Sequence, residues 1–157
     1  MDDKLDRVEL LQKAMKACSG REYCISDIRS MLDRWGAEDQ NVKEQIIKKL
    51  LDEKFIDEQR YSRAFVLDHF RHSHWGRVKI TMGLRNKKVA PEAIASGLEA
   101  IDDEEYMALL RKTVEDQRSK IRAKNRYDLK GKLLRHALGR GFESELVYRV
   151  INALFDD

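Results

Sequence analysis

Few residues in this 157-residue chain have the types and spacing that do chemistry. His69, His72 and His74 form its histidine cluster. On a helix the first two share a face while the third points elsewhere, and no cysteine or acid stands at zinc-ligand spacing from them. The pattern argues for solvated or phosphate-facing histidines near a helix end, not for a metal site. Cys18 and Cys24 lie six residues apart, a separation that sets no disulfide geometry, so both are expected as reduced, part-buried thiols. The acidic run Asp102, Asp103, Glu104, Glu105 suits the positive end of a helix better than acid–base catalysis. No phosphate-binding glycine loop, H-E-x-x-H or C-x-x-C sequence occurs. No catalytic group, metal or cofactor is expected.

Charge is the remaining chemistry. Between Arg60 and Lys88 eight Arg or Lys residues stand against one acid, Asp68. Residues 111–140 carry eleven positive and three negative charges. The net charge of the whole chain is only +3, so the other stretches are acidic. Two basic segments between acidic ones point to a polyanion or an acidic protein partner. Arg77, Lys79 and Arg85 would line one edge of a short helix. Trp75, beside the break at Gly76, reads as a core plug more than as a base-stacking platform. Met82 and Met107 read as core filler.

These groups must be positioned by helices. The single proline and the lack of Asn-Gly, Asp-Gly or Gly-Gly turns argue against an all-β chain. Hydrophobic residues make up 42% and charged residues 38%, which describes helices with much solvated surface. No apolar run approaches the roughly 18–20 residues that span a bilayer. The charged start MDDKLDRVEL has no apolar signal core, so a cytoplasmic protein without a membrane contact is expected.

Apolar spacing predicts nine helices. The first, from Leu5 to about Cys18, would bury Leu5, Val8, Leu11 and Met15. Ser26 would cap a second with Ile28, Met31, Leu32 and Trp35 inward, stopped at Gly36. Asn41 would cap a third with Val42, Ile46, Ile47, Leu50 and Leu51. Asp57 would cap a fourth that turns Tyr61, Ala64, Phe65 and Leu67 inward. A fifth follows the Trp75-Gly76 break and buries Val78, Ile80 and Leu84. Pro91 opens a sixth, the acidic run a seventh, and the eighth stops at Gly139 or Gly141. The ninth runs from about Ser144 to Phe155.

The middle helices superpose by hand. Ile28, Leu32 and Gly36 match Ile80, Leu84 and Lys88 at an offset of 52, and those match Leu133, Ala137 and Gly141 at an offset of 53. Such a period predicts an all-α chain of three tandem three-helix repeats, residues 1–56, 57–102 and 103–157, stacked as a curved elongated array.

The stretch Asp57-Glu58-Gln59-Arg60-Tyr61-Ser62-Arg63-Ala64-Phe65-Val66, then Trp75-Gly76 and Ile80-x-x-x-Leu84-Arg85-x-Lys87, resembles the RecX family of regulatory proteins. Arg34-Trp35-Gly36 is similar to the family's basic-glycine end of the first repeat, and Gly139-Arg140-Gly141-Phe142 to its closing motif. The resemblance implies the same three-repeat fold and a non-enzymatic function. Such a protein binds the RecA filament and its single- or double-stranded DNA, as a monomer. It limits RecA ATPase, filament growth, strand exchange and repressor cleavage, and so modulates recombination and the SOS response. Contact residues expected on that reading are Arg60, Arg63, Arg71, Arg77, Lys79, Arg85 and Lys87. The residues alone also fit a stand-alone nucleic-acid-binding protein of helix-turn-helix type; an interaction protein using only apolar faces fits the basic segments less well. Three positions depart from the family pattern: Lys88 where glycine is usual, Arg77-Val78 where a proline-basic pair is usual, and Ser62 where alanine is common.

Overall fold

The computed structural model describes residues 5–156; the first four residues of the charged N-terminal stretch, and Asp157 at the end of the third predicted repeat, lie outside the described residues. Those described residues form nine α-helices and no strand. They are α1 Arg7–Gly20, α2 Ile25–Arg34, α3 Gln40–Asp52, α4 Glu58–Asp68, α5 Arg77–Asn86, α6 Pro91–Leu98, α7 Asp103–Arg118, α8 Arg126–Gly139 and α9 Ser144–Phe155. A five-residue π-helical turn, His69–Ser73, continues α4.

The offsets of 52 and 53 mark true structural equivalence. Ile28, Ile80 and Leu133 are fully buried, and so are Leu32, Leu84 and Ala137. Four residues after the second of each pair, Gly36, Lys88 and Gly141 turn the chain with φ of 91°, 61° and 98°. Each turn then sends the next backbone N–H to the equivalent carbonyl: Ala37 to Leu32, Val89 to Leu84, Phe142 to Ala137. This is one helix-ending bond made three times, satisfying a carbonyl that has no partner within the helix. Lys88 adopts the left-handed turn that its glycine counterparts adopt, at a cost of about 1 kcal/mol.

The chain divides into two compact units. One comprises residues up to Ala64 together with Leu84–Gly97. Its core joins Leu10 and Ala14 of α1, Ile28, Met31 and Leu32 of α2, and Ile46, Ile47 and Leu50 of α3, closed by Ile56. In the same unit α4 and α6 meet through small residues. A side chain added at Gly97 would come within 2.2 Å of the Ser62 hydroxyl. The other unit comprises Phe65–Gly83 together with the residues from Leu98 onward. There α7, α8 and α9 pack around Tyr106, Leu110, Val114, Leu133, Ala137, Phe142, Val147 and Ile151, all buried.

Several expected positions move. Val8 is exposed, because the buried face of α1 is Leu10 and Ala14. Cys24, not Ser26, sits at the start of α2, where the Asp27 carboxylate accepts its N–H at 3.3 Å; the Ser26 hydroxyl donates instead to the Lys87 carbonyl at 2.6 Å. Asp39 caps α3 and accepts the Asn41 N–H at 2.8 Å, so Asn41 lies inside the helix it was expected to cap. Leu51 at the end of α3 is exposed. On α4 Ala64 faces solvent while Ser62 and Val66 are buried. Val78 and Met82 of α5 are 45% and 57% exposed rather than core. Asp57 does cap α4, accepting the Arg60 N–H at 3.0 Å, and Asp102 caps α7 through Glu105.

Ser62 is fully buried and its hydroxyl has no hydrogen-bond partner. A buried unsatisfied hydroxyl carries a desolvation cost, and alanine is also the better helix former. Ser62→Ala is therefore expected to stabilise the protein by about 1 kcal/mol, seen as a Tm roughly 2–4 °C higher in thermal circular dichroism. A fall in Tm would mean that the hydroxyl has a partner.

Candidate interaction surface

The two motifs that stood out in the sequence, Trp75-Gly76 and Gly139-Arg140-Gly141-Phe142, pack on each other. The first N–H groups of a helix need outside acceptors, and here the turn that follows α8 supplies two of them. Gly76 N–H donates to the Arg140 carbonyl and Val78 N–H to the Gly141 carbonyl, both at 2.9 Å. Between them, the Arg77 N–H donates to the Tyr106 hydroxyl at 3.0 Å. A proline at position 77 would lack that donor, so this departure from the family pattern comes with its own acceptor. The approach requires glycine on both sides: a Cβ on Gly76 would lie 2.4 Å from the Gly141 backbone, and one on Gly141 2.3 Å from the Lys79 Cβ.

Side chains lock the junction. The Tyr106 hydroxyl donates to Glu143, and burial together with that bond pushes its pKa up. The Arg77 guanidinium lies 3.9 Å over the Tyr106 ring and donates to Glu143 and Asp103, each at 2.8 Å. Arg140 reaches back to the Ser73 carbonyl and, at 3.4 Å, to that of His74, capping the π-helical turn. Phe142 packs on Tyr106 with ring centres 5.4 Å apart.

Trp75 is clasped in the same unit. His69 stacks on it at 4.0 Å and 8° interplanar angle, Phe65 meets His69 tilted by 55°, and the Lys79 ammonium lies 4.7 Å over the indole. The half-buried indole is thus engaged by an aromatic and a cationic neighbour within the molecule. Burial lowers the His69 pKa, with Lys79 adding to it against Asp68. His72 and His74 are exposed. No group of three His, Cys, Asp or Glu among the described residues could hold a metal ion. Cys18 is half-buried and Cys24 buried, both as free thiols, and burial raises both pKa values.

The seven expected contact residues separate into two groups. Arg60 grips Glu22 at 2.7 Å and donates to the Lys54 and Phe55 carbonyls. Lys87 pairs with Asp27 at 2.7 Å. Burial opposes ionisation of Asp27, but Lys87 and the Cys24 N–H outweigh it and hold its carboxyl below the usual range. Arg77 and Lys79 are engaged as described. Arg63, Arg71 and Arg85 are exposed, with no hydrogen bond or ion pair to another side chain among the described residues. One side-chain turn apart on α5, Val78 and Met82 add exposed apolar area that the periodicity had assigned inward. In the second basic segment Arg111, Lys120, Arg122 and Lys124 are exposed. Sequence reasoning missed Tyr106 and Glu143 because their partner Arg77 is 29 and 66 residues away.

The family model for "RecX, second three-helix domain" matches residues 57–98, and that for "RecX, third three-helix domain" matches residues 103–151. A regulatory protein RecX of Lactobacillus johnsonii is 24% identical over 144 residues, which are 92% of this chain and 53% of that protein. One from Enterococcus faecalis is 24% identical over 110 residues, 70% of this chain and 41% of the relative. The chain thus spans about half the length of the curated relatives it matches. The crystal structure of RecX from Lactobacillus salivarius shares the fold with a TM-score of 0.81 at 17% identity, covering 94% of this chain and 96% of that one.

Proposed function

We propose, since this chain belongs to the RecX family of regulatory proteins, that it binds the RecA nucleoprotein filament and restrains it. The restraint covers ATP hydrolysis, filament extension, strand exchange and stimulated repressor cleavage, and through them recombination and the SOS response. The observation that carries the reading is the set of exposed, internally unpaired arginines, Arg63, Arg71 and Arg85, on helices of the matched second domain. Of the seven contact residues expected from the sequence, these three have no competing side chain to leave among the described residues. Guanidinium forks pair equally well with RecA carboxylates and DNA phosphates. Exposed Val78 and Met82 supply the apolar contact that a protein partner uses and a phosphate backbone does not. A protein that bridges neighbouring protomers resists their relative motion without performing any chemistry itself.

The test is RecA single-strand-dependent ATPase measured with increasing amounts of this protein. Inhibition at substoichiometric to equimolar ratios is expected, and no effect at those ratios sinks the reading. Arg63→Glu/Arg71→Glu/Arg85→Glu together are expected to weaken filament binding at least tenfold in a pull-down. Helical circular dichroism and Tm should hold, because exposed unpaired cations add little to stability. The alternative, stand-alone binding to nucleic acid, predicts equal affinity for bare DNA and filament at one salt concentration. It also predicts a loss of affinity with log salt of about −0.9 per phosphate contacted on duplex DNA.

A further inference from the structure

An open groove between α8 and α9 has no role in the surface described above. Tyr127, Gly131 and Leu134 of α8 and Tyr148 and Ile151 of α9 line a cavity of about 310 Å³. Tyr127 is 88% and Tyr148 51% exposed, although both rings stand beside apolar neighbours. Along α8 the positions Tyr127, Gly131, Leu134 and Leu138 recur at i, i+4, i+7 and i+11. That is the seam one helix offers to another, and its far end, Leu138, is also exposed.

Gly131 makes the seam accessible. A glycine inside a helix costs about 1 kcal/mol relative to alanine, and nothing within the protein requires this one. A Cβ placed there would meet only the flexible end of Arg135, at 3.4 Å. The missing side chain leaves α8 open to a close neighbour. The charge around the groove selects that neighbour. Arg135 is exposed with no hydrogen bond or ion pair to another side chain among the described residues, and Lys130 also lines the groove. The carboxylate in the lining, Asp128, is already held by the Lys132 ammonium at 3.2 Å and the Lys124 N–H at 3.1 Å.

We infer that the α8–α9 groove is a second docking surface, which takes an acidic amphipathic helix of a partner protein. Large apolar side chains of that helix lie over Gly131 between the two tyrosines, and its flanking carboxylates meet Arg135 and Lys130. A single-stranded nucleic acid would use the tyrosines as stacking platforms. It would leave the apolar floor of Leu134 and Ile151 without a complement and place phosphates beside Asp128.

The proposal is independent of the filament reading, since it is tested by direct binding to the isolated protein. The probe is a synthetic peptide of about four helical turns, with leucines at i, i+3, i+4 and i+7 and glutamates elsewhere, titrated into isotope-labelled protein by NMR. Expected are shifts at the Gly131 amide and the Tyr127 and Tyr148 rings. Affinity should fall at least tenfold in both Gly131→Leu, which fills the floor, and Arg135→Glu. Both variants should keep the parent circular dichroism; Tyr127→Ala, at an exposed ring, serves if either does not. The inference is overturned if the peptide leaves those resonances unmoved or if the variants bind it as the parent does. It is also overturned if the lysine-for-glutamate peptide, or an oligothymidylate of about 15 nucleotides, binds the groove as tightly.

Discussion

Gly76→Ala is expected to cost about 3 kcal/mol of stability, lowering Tm by roughly 6–12 °C. The new methyl group would sit 2.4 Å from the carbonyl carbon and oxygen of Gly141 and 2.5 Å from the Phe142 nitrogen. These are backbone atoms at the end of α8, so no side-chain rotation relieves the overlap. Separating the two strands of backbone also stretches the Gly76 and Val78 hydrogen bonds to the turn after α8, both 2.9 Å. Their donors would then be left at a buried helix start. Gly139→Ala is the control: that glycine also ends α8 in the same motif, but an added Cβ there meets nothing within 4 Å. Thermal circular dichroism of the two variants measures the difference. Equal Tm values would mean that α5 does not rest on the α8 turn.

Arg77→Glu is expected to destabilise by a similar amount, about 3 kcal/mol. It removes both 2.8 Å ion pairs and the stacking over Tyr106, and it sets a third carboxylate beside Glu143 and Asp103. Asp103 is largely exposed, so solvent screens its share and most of the effect comes through the half-buried Glu143. From sequence alone this reversal would be expected to weaken partner binding with helicity unchanged. The internal pairs now add a fall in Tm, and a Tm within 2 °C of the parent would show them to be dispensable. The comparison with the Arg63/Arg71/Arg85 triple reversal separates the two kinds of arginine. One loses stability; the other loses the filament.

Much of the architecture was legible because its signals are local and repeated. An apolar pair four residues apart, followed by a residue that must turn left-handed, is a helix end in any context, and finding it three times at offsets of 52 and 53 revealed the repeat. Asp57, Pro91 and Asp102 mark helix starts by their own chemistry, and the structure uses each there. The misplaced residues share a different cause. Periodicity identifies an apolar face but not whether another helix covers it, so Val78 and Met82 read inward and stand exposed. Ser26 is the local cap signal for α2, but its hydroxyl goes to the distant Lys87 carbonyl and Cys24 takes the helix start instead.

The candidate surface was legible as composition and not as geometry. The sequence by itself determined an all-helical chain, its repeat period, its charge segregation and the motif pair that marks the family, since each depends on residues within a few turns of one another. Only the tertiary structure decided which cations are free. A charged side chain pairs with whatever carboxylate or carbonyl folding brings within about 3 Å, and those partners lie 38, 60 and 66 residues away for Arg60, Lys87 and Arg77. Among the described residues, Arg63, Arg71 and Arg85 were left without one.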